Sequence, residues 1–492
     1  MISATSAVGS DLLASIRQRE FARLDATGLA YLDYNGSALY GASQLAGHFA
    51  LLESTVLGNP HSENAPSRAS SEILERARDR VLRFFDVDAT THAVCFTANT
   101  TAALHLVGES YPFAAHRGLV VATDNHNSVL GLREYARRAR APVTYLPLDD
   151  ELRLRDPVSV LERLTARPEW RSRGLLSFPA QSNFSGVQHP LDLVQHARDL
   201  GFAVLLDLAA YAGSSRVSLR QTPADFAALS FYKLFGYPTG IGALIARRES
   251  LAALKRPWFA GGTVQFASVQ ADRHRLRPGA EGFEDGTPNF LALAALDAGF
   301  ALLEEAGLEH IGSHLRALTA ELLQALAGLR HSSGAALVEI HGPRDPDDLV
   351  DRGGTVAFNL LTAEGRRVPY PLVEERAREY GVALRGGCFC NPGAAEVALG
   401  LDPARTRSCL ERIDRDFTPE RFAGCLDGAV GAVRVSFGMA NNREDLRRAI
   451  AVLETFRDDR GSTVRSLDRS GAIQTEPDGA GPATKRRKVR IL

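Results

Sequence analysis

Lysine is scarce in this chain, and one lysine stands where it could do chemistry. Among 57 basic residues only Lys233, Lys255, Lys485 and Lys488 are lysines. Lys233 lies in Ser230-Phe-Tyr-Lys-Leu-Phe-Gly-Tyr-Pro-Thr-Gly240, an apolar, glycine-bearing segment. An amine is nucleophilic only when deprotonated, and burial lowers its pKa. Arginine could not replace it, because a guanidinium stays protonated. A second reactive group is Cys388-Phe-Cys390, flanked by Gly386, Gly387 and Gly393. The thiolate is the attacking form of cysteine. C-x-C is not the C-x-x-C redox spacing, and no second pair completes a zinc set, so no metal site is expected.

The elements around these residues alternate. Short apolar runs at 93–97, 119–122, 175–177, 203–207 and 241–245 read as strands, with helical patterns between several of them. Such alternation implies a mostly parallel sheet covered on both faces, with ligands at the carboxyl ends of its strands. His126, Asn183, Asp207 and Lys233 all fall there. That placement favours Lys233 as a Schiff-base lysine for pyridoxal phosphate (PLP) over a surface lysine lying across apolar neighbours. PLP needs a phosphate cradle, an acid near its pyridine nitrogen and a group packed on its ring. Thr97-Ala-Asn-Thr-Thr101 runs from a strand into a helix start, a natural phosphate site. Asp207 suits the acid and His126 the ring, although each also reads as an ordinary helix cap or loop residue.

Composition sets the frame. The chain has 492 residues, 45% hydrophobic and 23% charged, with a formal net charge of -1. This is an ordinary globular mix with no pull toward nucleic acid. No run of about 18 apolar residues suggests a membrane span. The first residues lack the basic-then-apolar layout of a signal peptide, and a cytoplasmic location is expected. Five cysteines, an odd number, argue against a disulfide framework, and Cys95 reads as a buried core thiol. Four segments are expected: an N-terminal helical segment at 1–27, a large domain at 28–300, a smaller α+β domain at 301–458, and a disordered basic tail at 459–492. The tail ends in Lys485-Arg-Arg-Lys-Val-Arg490, which reads as a solvated cluster more readily than a nuclear signal.

The sequence resembles the PLP-dependent class V aminotransferase and cysteine desulfurase superfamily. Within it, the desulfurase domain of molybdenum cofactor sulfurases is most similar. The segments that carry this are Tyr31-Leu-Asp-Tyr-Asn-Gly-Ser-Ala-Leu-Tyr40, Gly58-Asn-Pro-His-Ser-Glu-Asn64, Phe96 through Leu104, Asp124-Asn-His-Asn-Ser-Val129, Gln181 through Gly186, Ser230 through Gly240, Phe283 through Phe290, and Arg385-Gly-Gly-Cys-Phe-Cys-Asn-Pro-Gly393. The resemblance implies an α/β PLP fold type I subunit. It makes Lys233 the PLP lysine, His126 the ring-stacking histidine, Asp207 the pyridinium partner and Asn183 a residue near both PLP and substrate. Asn99, Thr100, Ser230 and Tyr232 become phosphate-site positions. Thr287 becomes a threonine that reaches the neighbouring subunit's phosphate, so a homodimer with shared active sites is implied. Arg434 grips the substrate carboxylate, and Cys390 carries the persulfide. The implied reaction takes L-cysteine to L-alanine and passes sulfur from Cys390 to an acceptor, either molybdenum cofactor or a biosynthetic one.

Three departures stand out. Arg385-Gly-Gly replaces the usual Arg-Thr-Gly, and Leu208-Ala-Ala after Asp207 lacks the glutamine of housekeeping desulfurases. The residues after 458 are not expected to supply the C-terminal cofactor-binding domain of the sulfurases, which leaves the acceptor open. The rival readings are a class V aminotransferase, an epimerase or a C–S lyase acting on another amino acid, and a non-catalytic sulfur carrier.

Overall fold

The computed structural model describes residues 2–459, apart from 427 and 429. All but the first residue of the expected tail lies outside the described residues. Seven strands form the central sheet: β1 (His92–Thr97), β2 (Gly118–Ala122), β3 (Val143–Leu146), β4 (Gly174–Pro179), β5 (Ala203–Asp207), β6 (Phe226–Ser230) and β7 (Gly242–Arg247). Their spatial order is β1-β7-β6-β5-β4-β2-β3. The pairs from β6 through β3 are parallel, and β7 alone runs antiparallel to both of its neighbours.

Successive residues of these strands feed two apolar layers. Val94, Phe96, Val120, Leu176 and Val204 join one core, and Ala93, Cys95, Leu119, Leu175 and Leu205 join the other. Both faces are therefore dry, as near-continuous apolar runs require. Cys95 is fully buried, and burial pushes its thiol pKa up.

A second, antiparallel sheet has the order β8-β9-β11-β10, formed by β8 (Val338–His341), β9 (Thr355–Leu360), β10 (Arg385–Gly387) and β11 (Ala432–Ser436). The chain's start packs against this end of the molecule. Ala30–Tyr31 pairs in parallel with Val382–Ala383, and Asp33 bridges Ser436. Leu13 and Ile16 are buried, and Arg17 bonds Asp445 at 2.6 Å.

Several elements differ from the sequence reading. The N-terminal helix ends at Glu20, and a short helix, Arg23–Thr27, follows. The helical pattern between the strands at 119–122 and 175–177 includes two pieces, Asn127–Leu130 and Leu132–Arg138, which meet at Gly131. β3 escaped notice because its burial is only partial, so its apolar signal is weak. The expectation of no disulfide is overturned: Cys409 and Cys425 are bonded, with Cα atoms 5.9 Å apart. They sit on Pro403–Ile413 and Pro419–Leu426, helices that fold back on each other, and an odd total does not forbid one bridge. Among the described residues no helix is long and apolar enough to cross a membrane.

Candidate active site

The carboxyl ends of β1, β2, β4, β5 and β6 converge. After β1, Asn99 caps the helix Thr100–Ser110 by accepting from the Ala102 N–H at 3.0 Å. Ser230 ends β6 and meets that helix start: its Oγ accepts from the Thr100 N–H at 2.7 Å and bonds Thr100 Oγ1 at 2.6 Å. His126 follows β2, and its Nδ1 accepts from the Ser128 N–H at 3.1 Å. Ser128 Oγ in turn bonds Thr101 Oγ1 at 2.7 Å, which ties the imidazole to the helix start. Asp207 ends β5, and Lys233 lies in the short helix Phe231–Phe235 after β6.

These residues line one cavity of about 150 Å³. Asn99, Thr100, His126 and Asn183 face it, as do Asp207, Ser230, Tyr232 and Lys233. Thr101, Ser128 and Gln181 also line it and were not singled out from sequence, although each lies within two residues of one that was. Thr287 does not line it. It is exposed in the loop before Phe290, 3.3 Å from the Asn59 side chain.

The electrostatics suit a reactive amine. Burial pushes the Lys233 pKa down, and the Arg434 and Arg385 charges push the same way against Asp207 and Asp33. Burial pushes Asp207 up, opposed by the Ala209 N–H and by Lys233. His126 is pushed down to about 4, first by burial and then by Lys233. Its ring is therefore neutral near pH 7 and can lie against another ring without a charge to solvate.

Cys390 is exposed on a loop that several hydrogen bonds anchor. Its carbonyl accepts from the Asn127 N–H at 2.7 Å, beside His126. The preceding carbonyl, of Phe389, accepts from Asn183 Nδ2 at 2.7 Å. Asn391 Nδ2 donates to Asp124 Oδ1 at 2.5 Å and to Asn183 Oδ1 at 3.0 Å. Asp124 is buried with His189 and Ser182, which bond it at 2.9 and 2.8 Å. A Cβ on Gly393 would collide with the Thr123 carbonyl, so the helix after the loop rests directly on the turn after β2. Phe389 and Cys390 have φ of 55° and 57°. That left-handed conformation costs L-residues roughly 1–2 kcal/mol each, and the anchors hold it. Glycines flank the loop, but these hydrogen bonds anchor it in one conformation. Asp124 and Asn391 were legible only as neighbours of His126 and Cys390.

Arg434, on β11, is 2% exposed. Its Nη1 donates to the Asn183 carbonyl and its Nη2 to Asp33 Oδ1, both at 2.8 Å. It therefore reaches the residue that links the cavity to the Cys390 loop.

A family model agrees with this geometry: the class-V aminotransferase model matches residues 30–449. The chain belongs to the class-V aminotransferase family. Within this family it is 35% identical over 481 residues to molybdenum cofactor sulfurase of Arabidopsis thaliana, covering 90% of this chain and 58% of the plant protein. It is 34% identical over 464 residues to molybdenum cofactor sulfurase of Homo sapiens, covering 89% and 51%. The chain thus spans little more than half the length of these curated relatives. Among solved structures, cysteine desulfurase from Thermococcus onnurineus NA1 superposes with a TM-score of 0.71 at 24% identity, covering 90% of this chain and 97% of that one. Cysteine desulfurase CsdA from Escherichia coli gives 0.71 at 24%, covering 90% and 98%. The fold of this class-V chain is the type I fold of PLP-dependent enzymes.

Proposed function

We propose that this protein is a PLP-dependent cysteine desulfurase-type sulfurtransferase. It takes sulfur from L-cysteine, leaves L-alanine and holds the sulfur as a persulfide on Cys390. The observation that carries this reading is the single cavity that joins Lys233, Asp207, His126 and a helix start, with the Cys390 loop bonded to Asn183 at its rim.

The residues fit the cofactor. The Thr100 helix start with Asn99, Ser230 and Tyr232 would hold a phosphate. Asp207 would hold a protonated ring nitrogen, His126 would cover the ring face, and Lys233 would bind the aldehyde carbon. When bound, PLP supplies an electron sink for the substrate Cα. Lys233, depressed by burial, moves a proton at that Cα. Arg434 and Asn183 hold the substrate carboxylate end. The Cys390 thiolate attacks the substrate sulfur: an S–S bond forms, the substrate C–S bond breaks, and the carbon skeleton leaves as alanine after protonation. Because the loop is anchored, the acceptor comes to Cys390. We read that acceptor as molybdenum cofactor or a biosynthetic sulfur acceptor.

We also read the protein as a homodimer in the cytoplasm. Thr287 is exposed and away from its own cavity, which suits a residue that completes the partner's phosphate site. Exposed Phe49, Val56 and Phe266 supply apolar surface for such contact.

The test is direct. PLP-loaded protein given L-cysteine and a reductant should release alanine and sulfide. Pyruvate in place of alanine would make it a lyase, and no product would remove L-cysteine as substrate.

A further inference from the structure

Two guanidiniums share one internal carboxylate beside Lys233. Asp33 accepts from Arg434 Nη2 at 2.8 Å, from Arg385 Nη2 at 2.6 Å and from Arg385 Nε at 2.9 Å. Arg434 and Asp33 are both buried, while Arg385 is half-exposed. The guanidinium carbon of Arg434 lies over the Phe389 ring, 4.6 Å from its centre. Its Nε is buried and has no hydrogen-bond partner. A buried donor without a partner is rare and marks a place for a ligand acceptor. The turn is built around this cluster: a Cβ on Gly36 would collide with the Asp33 carboxylate and the Arg385 guanidinium.

The charge count is informative. Two arginines and one aspartate leave a single net positive charge, which one substrate carboxylate balances. A pair of bare arginines would carry two, and would favour a dicarboxylate over a simple amino acid. Asp33 also bonds Arg434 at Nη2, so it shapes which guanidinium edge remains for the ligand.

We propose that Asp33 is the positioning residue that sets the strength and charge selectivity of the substrate-carboxylate site, by neutralising one of its two arginines. This rests on the desulfurase reading only in taking an amino-acid carboxylate as the ligand of Arg434.

The experiment is calorimetric titration of the PLP-loaded protein with L-alanine and with ethylamine, which lacks the carboxylate. D33N should tighten L-alanine binding by roughly fivefold, the effect of one partly screened charge, and leave ethylamine unchanged. R385Q should weaken L-alanine by a similar factor, again without effect on ethylamine. The double variant D33N/R385Q restores the net charge and should return L-alanine affinity to within about twofold of the parent. In turnover, D33N should lower KM for L-cysteine more than it changes kcat. Equal shifts for both ligands in D33N, or a double variant weaker than either single one, would overturn the proposal and leave Asp33 a fold element. If D33N does not fold, unchanged L-alanine affinity in R385Q overturns it alone. A parent protein that binds L-alanine more tightly than ethylamine yet never turns over L-cysteine fails the desulfurase reading and leaves this test intact.

Discussion

Cys388 and Cys390 are two residues apart and unbonded, whereas Cys409 and Cys425 are 16 apart and joined. Separation along the chain did not choose between these outcomes; backbone geometry did. The bonded pair sits on two facing helices whose Cα atoms lie within the range that a disulfide spans. The free pair sits on a loop whose carbonyls are already claimed by Asn391, Asn127 and Asn183. That loop holds Phe389 between the two thiols, packed 5.3 Å from the Phe184 ring and nearly buried. One pair fastens a helical hairpin, and the other keeps a thiol open for chemistry.

Substitutions can break this contrast. The largest effect belongs to Cys390→Ser, which should cut alanine formation at least about a thousandfold while PLP binding, read by absorbance, stays unchanged. Persistent alanine production would move the sulfur chemistry elsewhere. Next comes Asn391→Ala, which removes the bonds to Asp124 and Asn183 and the cap of the following helix. It should slow persulfide formation by roughly 10- to 100-fold with PLP binding intact. A rate within twofold of the parent would show that the anchors do not position Cys390.

Cys409→Ser tests the other pair. A bridge closing a loop of this size contributes about 3 kcal/mol, so the thermal midpoint should fall by several degrees with turnover nearly constant. An unchanged midpoint would mean that the helices hold each other without it. Cys388→Ser should do least, changing turnover by less than about twofold. A tenfold loss would instead give Cys388 a part in sulfur transfer and erase the difference between the two members of the free pair.

Much of the site was legible because its residues punctuate strands. His126, Asp207 and Ser230 each lie at or just past a run of apolar residues, and such ends converge in a parallel sheet. Lys233 was legible through its scarcity and its apolar surroundings. Asp33 was quoted only inside a longer matching segment, because a lone aspartate in a turn carries no signal of the two arginines it meets. Those arginines come from Arg385 and Arg434, more than 350 residues later in the chain. The disulfide was misjudged for a related reason: counting thiols says nothing about which helices face each other.

The sequence by itself determined the alternating elements, the dry two-faced sheet and the chemical types available, since periodicity and side-chain chemistry are local properties. Tertiary structure decided which groups share a cavity, which thiols bond, and that the Cys390 loop is fixed despite its glycines. These depend on through-space distances of a few ångströms between residues hundreds of positions apart, and hydrogen bonding and Coulomb energy are set by those distances.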